Sequence, residues 1–74
     1  MNIDQRGRPI LRVVKGKTGI WEVREAGFET PLSYFESAQD AKDYAESIAV
    51  IKPDIIVEVY SEEGRLQSTV STVG

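Results

Sequence analysis

The stretch SAQDAKDYAESIAVIKP, Ser37 to Pro53, decides the fold class of this chain because it predicts one long helix. Ser37 is a favoured N-cap residue, and Asp40 three positions later resembles a capping box with Asp in place of Glu or Gln. Proline cannot continue a helix and restricts the residue before it, so Pro53 predicts that the helix ends near Ile51.

Apolar residues recur inside this stretch at spacings of three and four, as they do along one face of an α-helix. They are Ala38, Ala41, Tyr44, Ala45, Ile48 and Ala49. Because most of this stripe is alanine, the helix axis can lie close to whatever it covers. We therefore expect a sheet directly beneath the stripe.

The residues upstream of the helix predict a β-hairpin. ILRVVK, Ile10–Lys15, is rich in β-branched residues and predicts a strand. GKTG, Gly16–Gly19, places two glycines where a tight reversal needs positive φ. IWEVREA, Ile20–Ala26, predicts the returning strand, and its alternation puts Trp21 and Val23 on one face.

Three further strands are predicted on either side of the helix. Pro31 cannot donate to a ladder, so a short third strand is expected just after it, at Leu32–Phe35. DIIVEVY, Asp54–Tyr60, follows the helix. SEEG, Ser61–Gly64, predicts a turn, and RLQSTV, Arg65–Val70, returns as the last strand.

The predicted order is therefore β-β-β-α-β-β. It indicates an α+β fold in which an antiparallel sheet of about five short strands carries one helix on one face. Residues 10–70 are expected to form a single domain, with a loose N-terminal lead-in at residues 1–9 and a frayed tail at residues 71–74.

One helix can cover only one face of such a sheet, so the other face is expected to meet water or a partner. The alternation of the strands assigns to that face Arg12, Glu22, Arg24, Glu58 and Tyr60, with Ile10, Val14, Ile20 and Ile56 nearby. If these apolar residues are exposed together, they form a patch of the kind that favours association.

Composition excludes several classes of site. The chain has 74 residues with no cysteine and no histidine, which excludes thiolate or imidazole zinc sites, disulfides and Cys–His or Ser–His relays. Its N-terminal residues lack the apolar core of a signal peptide, and no apolar run approaches the ~18 residues of a membrane span. These features predict a cytoplasmic protein without a membrane partner.

Several short motifs, taken together, resemble a known family. WEVREAG at Trp21–Gly27 is followed by YFES at Tyr34–Ser37, by Ala41 and Ala45 at helical spacing, and by EGRL at Glu63–Leu66. In order and spacing they resemble the small bacterial family known as domain of unknown function 2188. The resemblance covers Ile10–Val70 and implies the fold and a bacterial or phage origin. That family has no established activity.

The chain departs from the family pattern in three places. Glu63 stands where the family usually has Asp, and Leu66 stands where it usually has Ile. A histidine that the family often carries before this turn is missing. No functional residue is therefore carried over by the resemblance.

Trp21 and the cations of the first hairpin are the candidate contact residues. An indole can stack on a base, but in a domain this small Trp21 is expected to be the main core residue. Arg12, Lys15, Lys17 and Arg24 could contact a partner or nucleic-acid phosphates. Residues 1–24 carry six basic and two acidic groups, a charge of +4, whereas residues 25–74 carry three basic and ten acidic groups, a charge of -7.

The acidic and hydroxyl side chains predict no catalysis. Asp40, Asp43 and Glu46 fall on the solvent side of the predicted helix, where nothing would perturb them. The hydroxyls of Ser33, Ser37, Thr69 and Tyr60 have only carboxylates or lysines as possible bases. We therefore expect no enzyme, and we expect no metal, cofactor or small-molecule substrate.

The sequence favours a small non-enzymatic interaction domain that acts through its helix-free sheet face or through an edge strand. Its expected partner is another protein or a second copy of the chain, for example through Arg65–Val70, because edge strands invite pairing. The alternative is a nucleic-acid-binding module that uses the basic first hairpin. Against this alternative stands the net charge of -3.

Overall fold

The computed structural model describes residues 9–52 and 54–71. Within them the elements follow the predicted order: β1 (Ile10–Lys15), β2 (Trp21–Glu25), β3 (Ser33–Phe35), α1 (Ala38–Ile51), β4 (Ile56–Tyr60) and β5 (Leu66–Ser71). The predicted lead-in and tail lie outside the described residues, except for Pro9 and Ser71. Both belong to the sheet: the Pro9 carbonyl accepts a 3.0 Å hydrogen bond from the Ile56 N–H, and Ser71 pairs with Ile56.

The helix begins and ends where the sequence predicts. The Ser37 hydroxyl accepts a 3.1 Å hydrogen bond from the Asp40 N–H, which satisfies one of the unpaired donors of the first turn. At the other end the Lys52 N–H donates to the Ile48 carbonyl at 2.8 Å. Both predicted boundaries, Ser37 as N-cap and Ile51 as the last helical residue, are confirmed.

The five strands of the described residues form one mixed sheet in the order β3-β2-β1-β4-β5. Neighbouring strands are antiparallel except for β1 and β4, which run parallel with Ile10 beside Ile56 and Val13 beside Val59. The prediction of a purely antiparallel sheet is therefore wrong. The helix leads the chain back across the sheet, so β4 enters in the same direction as β1 instead of forming a hairpin with β3.

The core lies between α1 and the sheet, and it confirms the predicted meeting of the indole with the alanine stripe. Trp21 is 7% exposed, and Ala41, Ala45 and Ala49 are fully buried. The remaining buried apolar side chains of this layer are Leu11, Val13, Val23, Ile55, Val57 and Val59. Trp21 therefore fills the interior and offers no surface to a base or ligand.

The helix does not lie centrally over the sheet. It packs against β1, β2, β3 and β4, and the ring of Tyr44 lies 5.2 Å from that of Phe35 on β3. At the opposite side of the sheet, every residue from Glu62 to Thr69 is exposed. β5 thus projects beyond the cover that α1 provides, although Val70 near its end packs against the core.

Candidate functional site

The side of the sheet opposite α1, which we call the open face, carries the residues that the alternation assigned to it. Arg12 lies opposite Arg24 across the β1–β2 pair and opposite Glu58 across the β1–β4 pair. Glu22 lies on the same face of β2, opposite Val14 on β1, and Tyr60 follows Glu58 on the same face of β4. The predicted composition of the open face is confirmed by this register.

Each arginine of the open face binds a carboxylate next to it. The Arg12 Nε donates to the Glu58 Oε1 at 3.0 Å, and the Arg24 Nε donates to the Glu22 Oε1 at 2.7 Å. The Arg24 Nη1 also donates to the Glu29 carbonyl at 2.8 Å. The two arginines and two glutamates of the open face therefore balance in charge, so this face presents little net field to a partner.

Tyr60 lies two residues after Glu58 on the open face of β4. Its hydroxyl donates a 3.0 Å hydrogen bond to the same Glu58 oxygen that Arg12 binds. Burial raises the pKa of Tyr60 above its usual 10.0, and the hydrogen bond and negative charge of Glu58 raise the pKa further, while Arg12 opposes them. The phenol is therefore held in its neutral, donating form.

The four predicted contact cations do not form one basic surface. Arg12 and Arg24 lie on the open face, whereas Lys15 pairs with Trp21 and belongs to the opposite face at the end of the hairpin. The Lys15 Nζ donates to the Glu62 carboxylate at 3.3 Å, and Lys17 is exposed in the turn. Three of these four cations are thus already bound to carboxylates of the chain.

The apolar residues near the open face are only partly accessible. Ile10, Val14 and Ile56 are half-buried, and Ile20 is 36% exposed. The ion pairs of Arg12 and Arg24 lie between them, so the open face has mixed polarity instead of the contiguous apolar patch that would favour association.

A shallow groove of about 390 Å³ lies beside the C-terminal half of α1, and sequence reasoning did not single it out. Its lining consists of Pro9, Leu11, Glu25, Leu32, Tyr44, Ile48, Ile51, Lys52 and Ile55. Ile51 at its rim is 79% exposed. A sequence signal existed, because Ile48 and Ile51 add large apolar side chains at a spacing of three near the end of the helix stripe.

The outer side of β5, away from β4, is the β5 edge. Because residues of a strand direct their N–H and C=O groups alternately to its two sides, one observed bond sets the direction for the rest. The Ile56 N–H bonds to Pro9 on the β1 side, so the backbone N–H and C=O groups of the next residue, Val57, point toward β5. The backbone groups of Val70, which lies opposite Val57, point toward β4 in return. The backbone groups of Thr69, and likewise those of Ser71, therefore point outward from the β5 edge.

The two outer strands of the sheet differ in how they are protected. β3 has three residues and follows Pro31 closely, and short edge strands near proline resist pairing with another chain. β5 has six residues, LQSTVS, without charge or proline. The β5 edge therefore lacks short length, charge and proline as protection, and its one irregularity is a register shift against β4 at Gln67, near the start of the strand.

Comparison of the chain with protein-family models, with curated proteins and with solved structures found no match. The resemblance drawn from the sequence motifs accordingly stays a prediction. Within the described residues, no helix is both long enough and apolar enough to cross a membrane. The same residues contain no group of three or more acidic side chains placed to hold a metal ion.

Proposed function

We propose that this chain is a small non-enzymatic interaction domain whose working surface is the β5 edge. Its partner is an extended protein segment that adds a strand to the sheet, so that main-chain hydrogen bonds supply most of the affinity. The observation that carries the proposal is the outward direction of the Thr69 backbone on an uncharged strand of six residues.

Two features of β5 support this assignment. The side chains of Leu66, Gln67, Ser68 and Thr69 are exposed, so a partner strand meets no obstacle from the helix layer. The turn before β5 is held by the Ser61 N–H, which donates to the Arg65 carbonyl at 2.7 Å. The edge is thus accessible and already extended, which lowers the entropy lost when a partner binds.

The open face and the basic hairpin are weaker candidates. Arg12, Arg24 and Lys15 each bind a carboxylate of the chain, so nucleic-acid phosphates would have to displace those carboxylates before they gained a cation. The chain also carries a net charge of -3. Nucleic-acid binding would reveal itself as retardation of DNA or RNA at low salt that disappears in the Lys15→Glu/Lys17→Glu variant.

The proposal is tested by selecting displayed, unstructured peptides on the intact chain and measuring their affinity for two variants at one position. Thr69→Pro removes the outward N–H but leaves the ladder to β4 intact, because that N–H does not point to β4. Thr69→Ala keeps the N–H. We expect selected peptides to lose binding to Thr69→Pro and to retain it on Thr69→Ala.

Circular dichroism and thermal unfolding of both variants provide the control for folding. Amide hydrogen exchange gives a second readout that needs no variant: a bound peptide should slow exchange at Thr69 more than at Val70, which is already bonded to β4. Peptides that bind Thr69→Pro as well as the parent chain would contradict the proposal.

A further inference from the structure

We infer that the segment bound at the β5 edge is β5 of a second copy of this chain, paired antiparallel around a two-fold axis at Thr69. This inference rests on the proposed function, because it uses the same edge and names the partner. It requires that the edge be self-complementary in backbone direction, in side-chain charge and in register.

Backbone direction permits self-pairing. Antiparallel strands bond through residues whose N–H and C=O groups point at each other, so outward residues of one copy must meet outward residues of the other. Thr69 and Ser71 are two such residues. A pairing centred on Thr69 brings the two Thr69 residues together and sets residue 67 opposite residue 71.

Register then selects the centre. With the axis at Thr69, residues 67–71 of one β5 lie opposite residues 71–67 of the other, with the bulged residue Gln67 only at the ends of the overlap. An axis at Ser68 would align residues 66–70, but it would pair Thr69 with Gln67, where the register against β4 shifts. With the axis at Val70, only residues 69–71 remain opposite each other within the strand. The Thr69 centre is also the one that places threonine hydroxyls in a cross-strand pair, which is a favourable combination.

Charge and shape also favour a second copy. Residues 66–71 contain no charged side chain, so the antiparallel pair brings no like charges directly together. Glu62 and Glu63 lie in the turn before the strand, outside the overlap. A two-fold axis perpendicular to the sheet places both copies of α1 on the same side, and each remains over its own β1–β4.

The difference in length between the two outer strands predicts a dimer and not a filament. A filament would need β5 of one copy to pair with β3 of the next, but β3 offers three residues after Pro31. An interface that uses the same patch on both copies closes at two subunits. Because two strands bury less than the ~1,200 Å² of standard interfaces, we expect a reversible dimer that dissociates on dilution.

The lack of native cysteine in the chain allows a direct test of register. In the proposed pair the Cα atoms of the two Thr69 residues are about 5.5 Å apart, within the range of a disulfide. Ser68 lies opposite Val70, so the two Ser68 Cα atoms are separated by roughly 8 Å, beyond the reach of a disulfide. Thr69→Cys should therefore form a covalent dimer under mild oxidation, and Ser68→Cys should do so at least tenfold more slowly.

Sedimentation velocity over a wide concentration range supplies the second measurement. The parent chain and Thr69→Ala should show a dimer fraction that rises with concentration, and Thr69→Pro should remain a monomer. Equal cross-linking rates of Thr69→Cys and Ser68→Cys would overturn the register, and a dimer that persists in Thr69→Pro would overturn the assignment to β5.

The outcomes also separate this inference from the proposed function. A parent chain that stays monomeric at every concentration, yet binds selected peptides through the Thr69 N–H, disproves self-pairing and leaves the β5 edge as the working surface. A monomer that binds no peptide at this edge disproves both.

Discussion

Arg12 and Arg24 lie directly opposite each other on adjacent antiparallel strands, and each donates to a different carboxylate: Arg12 to Glu58 on β4, and Arg24 to Glu22 on its own strand. Like charges in this position repel, so Glu58 and Glu22 have a structural role, because they make the central hairpin compatible with its own two cations. The charged side chains of the open face therefore stabilise the sheet through pairs formed within the chain.

Removal of one carboxylate should expose that repulsion. Glu58→Gln keeps the shape of the side chain but leaves Arg12 facing Arg24 without its counter-ion, and we expect unfolding free energy to fall by about 0.5–1 kcal/mol. Urea unfolding measures the loss, which should shrink at high salt because screening weakens the repulsion. Adding Arg12→Gln to Glu58→Gln should restore part of the lost unfolding free energy. If the double variant is no more stable than Glu58→Gln, the loss does not come from charge repulsion.

The raised pKa of Tyr60 predicts a loss of stability at high pH. Its pKa in the folded chain lies above the unfolded value of 10.0, so the neutral phenol stabilises the fold fully below that pH. This contribution is lost as pH rises through the folded pKa. Tyr60→Phe should remove this part of the alkaline dependence, as unfolding at several alkaline pH values would show.

Removing the charge of Glu58 should lower the pKa of Tyr60. Burial is the largest cause of the shift and the hydrogen bond to Glu58 the next, so Glu58→Gln should bring the pKa part of the way back toward 10.0. A carbon-13 NMR titration of the labelled Tyr60 ring measures this directly. An unchanged pKa in the variant would assign the shift to burial alone.

Enlarging the middle alanine of the helix stripe should destabilise the core. Ala45 is fully buried between α1 and the sheet, so Ala45→Leu must push the helix outward, at a cost of about 1–3 kcal/mol. Val50→Leu is the matched control, because Val50 is 76% exposed on the same helix. Chemical denaturation gives the unfolding free energy of both variants. Equal losses of stability would show that the helix can move away from the sheet at little cost.

Substitutions at Gly64 should measure the free-energy cost of a left-handed backbone conformation separately from any steric clash. Its φ is 84°, and nothing lies within 4 Å of the place where a Cβ would stand. Gly64→Ala should therefore lose about 1 kcal/mol from backbone strain without any steric clash, and Gly64→Asn should lose less. Thermal unfolding ranks the two variants, and a larger loss for Asn would contradict this explanation.

The elements themselves could be predicted because their signals are local. Ser37 and Asp40 mark the start of the helix within four residues, and Gly16 and Gly19 mark the first hairpin, although Gly19 takes the expected positive φ and Gly16 does not. These features depend on neighbours in the chain, so composition and spacing suffice to find them. The buried position of Trp21 followed from the same reasoning, since a small core needs one large apolar side chain.

The parallel pairing of β1 with β4 could not be read in this way, because it joins segments far apart in the chain. One signal did exist: Ile10 and Val14 on β1, and Ile56 on β4, are apolar on the face that α1 does not cover. Apolar residues on both faces are typical of inner strands. The ionic partners of Arg12, Lys15 and Arg24 likewise depend on how distant strands come together.

Ile56 stands between the two ends of the described sheet, since its N–H bonds to Pro9 and its cross-strand neighbour is Ser71. Pro9 and Ser71, the first and last of the described residues, therefore lie on either side of Ile56, roughly 10 Å apart as set by two strand spacings. A short linker could join these points, with a new opening cut in the Gly16–Gly19 turn. The same geometry would let residues 9–71 be inserted into a surface loop of a host protein without separating the host's own ends.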